Sequence, residues 1–136
     1  MEERDIAIVD VPGAYLHAKW PAGKRVILRL VGQFVNIMCK VNPKYLSYVR
    51  TEMRNGRKIK VLYLRVLWAL YGALESARLW YELYSGVLKY MGFVLNPYDK
   101  CIATKIIHGS QCTIVFYVND NKVSFWDPNV VTQVIQ

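Results

Sequence analysis

The chain has 136 residues and a formal charge of +8, from 18 lysines and arginines against 10 acids; that is one ordinary domain, too short for two independent cores. An apolar share of 54% and a mean hydropathy of +0.12 exclude disorder as the main state. The longest apolar runs, Val61–Leu64 and Val66–Tyr71, are cut by Arg65 and Gly72 and stay well short of the roughly 18–20 residues of a membrane-spanning helix.

In chain order, Met1-Glu2-Glu3-Arg4-Asp5 has neither the positive charge nor the following apolar core of a secretory leader, so an intracellular protein is expected. Asp5–Val11 alternates as a short strand that delivers Asp10 at its end. Ala14–Ala18 fits one or two helical turns, and Pro21-Ala22-Gly23 breaks the chain before a strand at Arg25–Leu30. Gln33–Val41 is expected to be helical and to stop at Asn42-Pro43. Tyr48–Glu52 and Lys58–Arg65 read as a hairpin around Asn55-Gly56.

The strongest helix spans Ala73–Met91, with Ala77, Trp80, Tyr81, Tyr84, Val87, Leu88 and Met91 as one buried stripe. Glu75 falls in its first turn, Lys89 in its last, and Gly92 where a left-handed residue ends a helix. Phe93–Leu95 is extended, and Cys101–Ile107 and Gln111–Val118 form a second hairpin across His108-Gly109. Lys122–Trp126 resumes as a strand after Asn119-Asp120, and Asp127 caps a C-terminal helix. Strands and helices mix without regular alternation, which makes the fold class α+β.

Charge is concentrated. Between Lys19 and Arg65 lie twelve basic residues and one acid, a net +11, while the remainder carries six basic residues and nine acids, a net −3. Trp20, Phe34, Tyr45, Tyr48 and Tyr63 are interleaved with that positive charge. Cations neutralise phosphates and rings stack on bases, so the mix suits a polyanion; a solvated basic surface over ordinary core aromatics is the plainer alternative. Cys39, Cys101, Cys112, His17 and His108 show no paired spacing for a structural zinc, and the sparse, odd cysteines fit incidental thiols in a reducing compartment.

Two acids stand apart. Asp10 ends an apolar strand, and Asp120 lies in the tight connection between Thr113–Val118 and Lys122–Trp126. A carboxylate at a strand end is held by the sheet yet faces solvent, as Mg²⁺ chemistry requires. Taken singly, Asp10 before Pro12-Gly13 also reads as a turn or cap, and Asn119-Asp120 as ordinary hairpin chemistry.

Four blocks in order bear a further reading. Asp10-Val11-Pro12-Gly13-Ala14-Tyr15-Leu16-His17-Ala18 resembles the first catalytic motif of copia-type retrotransposon reverse transcriptases, Asp-Val-x-x-Ala-aromatic-Leu. Leu70-Tyr71-Gly72-Ala73-Leu74-Glu75-Ser76-Ala77-Arg78-Leu79-Trp80-Tyr81 is similar to that family's Leu-Tyr-Gly-Leu-x-x-Ser-x-Arg-x-Trp-Tyr stretch. Gly92-Phe93, Tyr98-Asp99 and Cys101 resemble its Gly-Phe…Tyr-Asp-x-Cys signature, and Tyr117-Val118-Asn119-Asp120 occupies the place of its Tyr-Val-Asp-Asp catalytic turn.

The resemblance implies a single partial domain over residues 1–136: a palm-like antiparallel sheet with packed helices, incomplete fingers and no thumb. It implies an RNA-directed DNA polymerase that uses two Mg²⁺ ions, or Mn²⁺, to join deoxynucleoside triphosphates to a primer 3′-hydroxyl on an RNA or DNA template. Asp10 and Asp120 are then the metal ligands and catalytic acids. Tyr15 lies under the incoming sugar, with core packing as its alternative. Gly72, Tyr117 and Val118 flank the nucleotide, although Gly72 also serves simply to separate two elements. Lys24, Arg25, Arg54, Arg57, Lys58, Lys60 and Arg78 are the basic candidates for nucleic acid, Arg78 reading better as a solvated helix charge. The rest of a retroelement polyprotein would be the covalent partner, in a cytoplasmic particle or the nucleus, with no membrane involved.

Asn119 departs from the family, which has a metal-binding aspartate there. A neutral amide brings no charge to a site that must gather two divalent cations, so this chain is expected to be inactive or weakened. A non-catalytic basic module that binds nucleic acid, or an inert remnant of a retroelement, are the alternative functions.

Overall fold

The computed structural model describes residues 3–136; Met1 and Glu2, which head the acidic opening, lie outside the described residues. The chain folds as two compact units, Trp20–Leu67 and a larger one made of Met1–Lys19 with Trp68–Gln136. Both are mixtures of helix and antiparallel sheet, so the α+β class holds. No helix among the described residues is long and apolar enough to cross a membrane.

Alternation builds the larger unit. Its five strands are β1 (Asp5–Asp10), β5 (Val94–Leu95), β6 (Ile102–Ile107), β7 (Ser110–Tyr117) and β8 (Asp120–Phe125), in antiparallel order β1-β8-β7-β6-β5. Side chains of period two put Cys112, Ile114 and Phe116 of β7 on the same face as Val123 and Phe125 of β8 and Ala103 of β6. Against that face pack Leu88 from α2 (Ser76–Tyr90) and Val130 and Val131 from α3 (Pro128–Ile135). Phe125 is wholly buried there. Ile8, Val115 and Tyr117 occupy the opposite parity and are exposed.

Helix α2 begins three residues later than its periodicity suggests, because Ala73–Glu75 form turns and Ser76 is used differently. The buried Ser76 hydroxyl accepts from the Leu70 N–H at 3.1 Å and donates to the Leu70 carbonyl at 2.6 Å, tying the preceding loop to the helix start. The buried stripe is correspondingly Leu79, Trp80 and Leu88 with Ser76 and Ser85; Ala77, Val87 and Met91, expected inside, are exposed at its margin. Gly92 at φ 86 ends the helix as expected, with the Phe93 N–H returning to the Leu88 carbonyl at 2.9 Å. Asp127 caps α3 by accepting from the Asn129 N–H at 2.9 Å.

The smaller unit is a three-stranded sheet of order β2-β4-β3, with β2 at Val26–Val31, β3 at Arg50–Arg54 and β4 at Arg57–Val66. Helix α1 spans Gln33–Val41, matching its periodicity, and Asn42 stops it at extended dihedrals while capping a 3-10 helix, Pro43–Tyr48. Tyr48 therefore closes that turn instead of opening the strand. Asn55-Gly56 joins β3 to β4 as the hairpin signal predicts. Across the three strands, Arg29 meets Glu52 at 2.6 Å, and the Tyr63 hydroxyl donates to Glu52 at 2.7 Å. Tyr63 and then Arg29 hold the Glu52 carboxyl below the usual carboxylate range.

Candidate functional site

The site grows from the register of β1 on β8. Their antiparallel pairing sets Asp10 directly opposite Asp120, and Asp120 is also opposite Tyr117 of β7. Asp120 is thus the first residue of β8 and not part of the loop, which shrinks to Val118-Asn119. Both acids are exposed, at the open end of two neighbouring strands.

The loop is held at every carbonyl. Val118 adopts φ 52, a left-handed conformation that crowds a β-branched side chain. Its carbonyl accepts from the Trp80 indole Nε1–H at 2.6 Å. The Asn119 carbonyl accepts from the Val11 N–H at 2.8 Å and from Asn121 Nδ2 at 3.1 Å. Asn121 is 3% exposed, and its Nδ2 also reaches the Val9 carbonyl at 3.4 Å. β1 and the hairpin are thereby stitched together behind the acids.

In front, the Asn119 side chain lies between the two carboxylates. Its Nδ2 donates to Asp10 Oδ1 at 2.6 Å and to Asp120 Oδ1 at 3.5 Å. Two anions meeting at one edge repel, and a shared N–H donor offsets part of that repulsion. Among the described residues no three His, Cys, Asp or Glu side chains converge on a common point.

The remaining sequence-predicted residues lie on several different elements. Tyr15 sits half-buried in a 3-10 helix at Ala14–His17, its ring 4.6 Å from that of Tyr71. Gly72 turns the chain at φ 89 with open space where a Cβ would point, so backbone conformation alone calls for glycine there. Tyr117 ends β7 and is 74% exposed on the side of the sheet that carries Asp120. Arg78 lies on α2, 3.8 Å from Glu82 one turn on, which is the solvated helix-charge arrangement.

The basic candidates belong to the smaller unit. Arg54 and Arg57 face each other across the hairpin end, where like charges repel. Lys58 and Lys60 follow on β4, exposed and opposite Met53 and Thr51. Arg25 is exposed, and the Lys24 ammonium lies 5.2 Å from the Trp20 ring centre.

The chain matches no protein-family model, no curated protein and no solved structure. What the site can do must come from its own atoms. Two residues that sequence reasoning gave no role, Trp80 and Asn121, prove to be its braces. Trp80 was legible as part of an apolar stripe and of the Leu70–Tyr81 block, neither of which reports the bond its N–H makes, and nothing in the sequence marked Asn121.

Proposed function

We propose that this chain is a partial palm of a copia-type RNA-directed DNA polymerase, in which Asp10 and Asp120 hold a divalent cation and Asn119 weakens the centre. The observation that carries the reading is the pairing of Asp10 with Asp120 on adjacent strands, both carboxylates reaching one amide. Two acids separated by most of the chain meet at an exposed strand edge, where a phosphate-bearing ligand has access.

The donor set fits one ion better than two. Mg²⁺ is content with one or two carboxylates plus water and phosphate oxygens, and Asp10 and Asp120 supply that. Two divalent ions bring four positive charges, against which two carboxylates and a neutral amide fall short. When bound, a divalent cation eases loss of the primer hydroxyl proton and neutralises charge on the transferring phosphate. The chain's own contribution is placement. Strand pairing fixes both acids, and Tyr117 beside Asp120 offers an exposed ring to a base or sugar.

Asn119 opposes this. Its N–H donor points where a ligand oxygen is needed, so a cation must first turn the amide away. Tyr15 and Gly72 keep the nucleotide-facing roles of the resemblance, and Arg54, Arg57, Lys58 and Lys60 supply phosphate contacts along the template-primer.

Primer extension with a template-primer, deoxynucleoside triphosphates and Mg²⁺ or Mn²⁺ tests the reading. The unmodified chain is expected to extend little or not at all, and Asn119→Asp to extend more. Robust extension by the unmodified chain, undiminished by Asp10→Asn, contradicts the assignment.

A further inference from the structure

We infer that Trp80 is a positioning residue, whose indole N–H holds the Val118-Asn119 turn in the conformation that presents Asn119 and Asp120 to Asp10. The importance of the positioned acids rests on the polymerase reading above; the positioning itself rests on geometry.

Begin with the turn. Valine is β-branched, and at φ 52 its side chain crowds the neighbouring backbone, a conformation that glycine adopts freely. Such a residue keeps a left-handed conformation only when its surroundings over-determine it. Strand pairing and the bonds to the Asn119 carbonyl hold the far side of the turn, but on the Val118 side the surroundings are few. A cavity of about 150 Å³ lies against the turn, lined by Trp80, Tyr81, Cys101, Phe116 and Val118 among others, so close packing does not back the valine on that side. What does reach it is the 2.6 Å hydrogen bond from Trp80 Nε1 to the Val118 carbonyl.

Trp80 is built to hold still. It is 6% exposed, sits in the second turn of α2, and stacks on Tyr84 with ring centres 5.3 Å apart. On another side its ring lies 6.2 Å from that of His17, whose Nε2 meets the Pro12 carbonyl at 3.1 Å. One side chain of α2 therefore bonds the turn before Asp120 directly and neighbours His17, which in turn bonds the loop that follows Asp10. Fixing a strained turn to a helix lets the acids keep their spacing without a ligand between them.

A tryptophan that merely fills the core makes different predictions from one that restrains a turn. Trp80→Phe keeps the ring and removes the donor. Hydrogen exchange at the backbone amides of residues 118–120 is expected to speed up by about tenfold, the loss of one hydrogen bond, and the Asn119 side-chain amide resonances to shift. Val118→Gly removes the reason for restraint, so adding it to Trp80→Phe is expected to return exchange toward the unmodified rate. Unchanged exchange in Trp80→Phe, or a double variant worse than either single one, overturns the inference. Should Trp80→Phe fail to fold, the unmodified chain decides. The Trp80 indole proton is expected to exchange far more slowly than that of the half-exposed Trp126, and equal rates overturn the proposal. None of these readouts involves metal or nucleic acid, so their failure leaves the polymerase reading untouched, and failed extension leaves this role intact.

Discussion

The two units of this chain solve opposite problems. Trp20–Leu67 carries eleven basic residues and one acid, a net +10, while the rest carries seven and nine, a net −2. Buried apolar side chains are divided the other way: Val35, Val61 and Leu62 in the smaller unit, against a cluster of ten buried residues around Phe125 in the larger. One unit spends its sequence on charge and the other on packing. The packed unit can hold two like-charged carboxylates at a fixed spacing, because α2, α3 and five strands support the edge where they meet. The charged unit offers a surface of cations on a thin frame, which suits a polyanion whose backbone needs neutralising more than precise geometry.

The largest effect that can break this contrast is in the packed unit. Phe125→Ala is expected to cost about 3–5 kcal/mol, a large part of a typical domain's stability, and to lower the exchange protection of β6–β8 accordingly. In the unmodified chain the amides of β2–β4 are expected to be less protected than those of β6–β8, because less apolar burial holds them. Equal protection in both sheets contradicts the division.

Next in size is the response to salt. Nucleic-acid affinity should fall steeply as salt rises, and Arg54→Ala with Arg57→Ala should reduce the slope of log K against log salt by about two, near 0.9 per lost phosphate contact. Arg78→Ala, already paired with Glu82, should leave the slope alone. A slope indifferent to the hairpin arginines would move the interface elsewhere.

The smallest effect is in pH. The Tyr63 hydroxyl and Arg29 hold the exposed Glu52 carboxyl below its usual range, so the folded chain binds that proton less well than the unfolded one. Its stabilisation is present above the unfolded value of about 4.3 and is lost as pH falls through the lowered folded value. Thermal unfolding followed from pH 6 to pH 3 should show the unmodified chain more stable than Glu52→Gln at pH 6, modestly for so exposed a group, with the gap closing toward the acid end.

Much of the fold was legible beforehand, for identifiable reasons. Gln33–Val41 has a clear period and a hard stop at Asn42-Pro43, and its bounds came out as read. Asn55-Gly56 and His108-Gly109 demand left-handed backbone and gave both hairpins. The start of α2 was not legible, because Ser76 is claimed by the Leu70 backbone, a contact six residues away that periodicity does not report. The acids were legible as strand-end carboxylates, but their meeting depends on the pairing of residues 110 positions apart. The braces were hidden for a related reason: an indole in an apolar stripe reads as packing until its N–H is seen to reach a carbonyl.

Mn²⁺ binding, followed by electron paramagnetic resonance, addresses the central assignment most directly. Asn119→Asp is expected to bind the ion at least about tenfold more tightly than the unmodified chain, a difference of about 1.4 kcal/mol, and Asp10→Asn in that background to abolish the gain. The same weak affinity in all three proteins would mean that the paired carboxylates do not form a cation site.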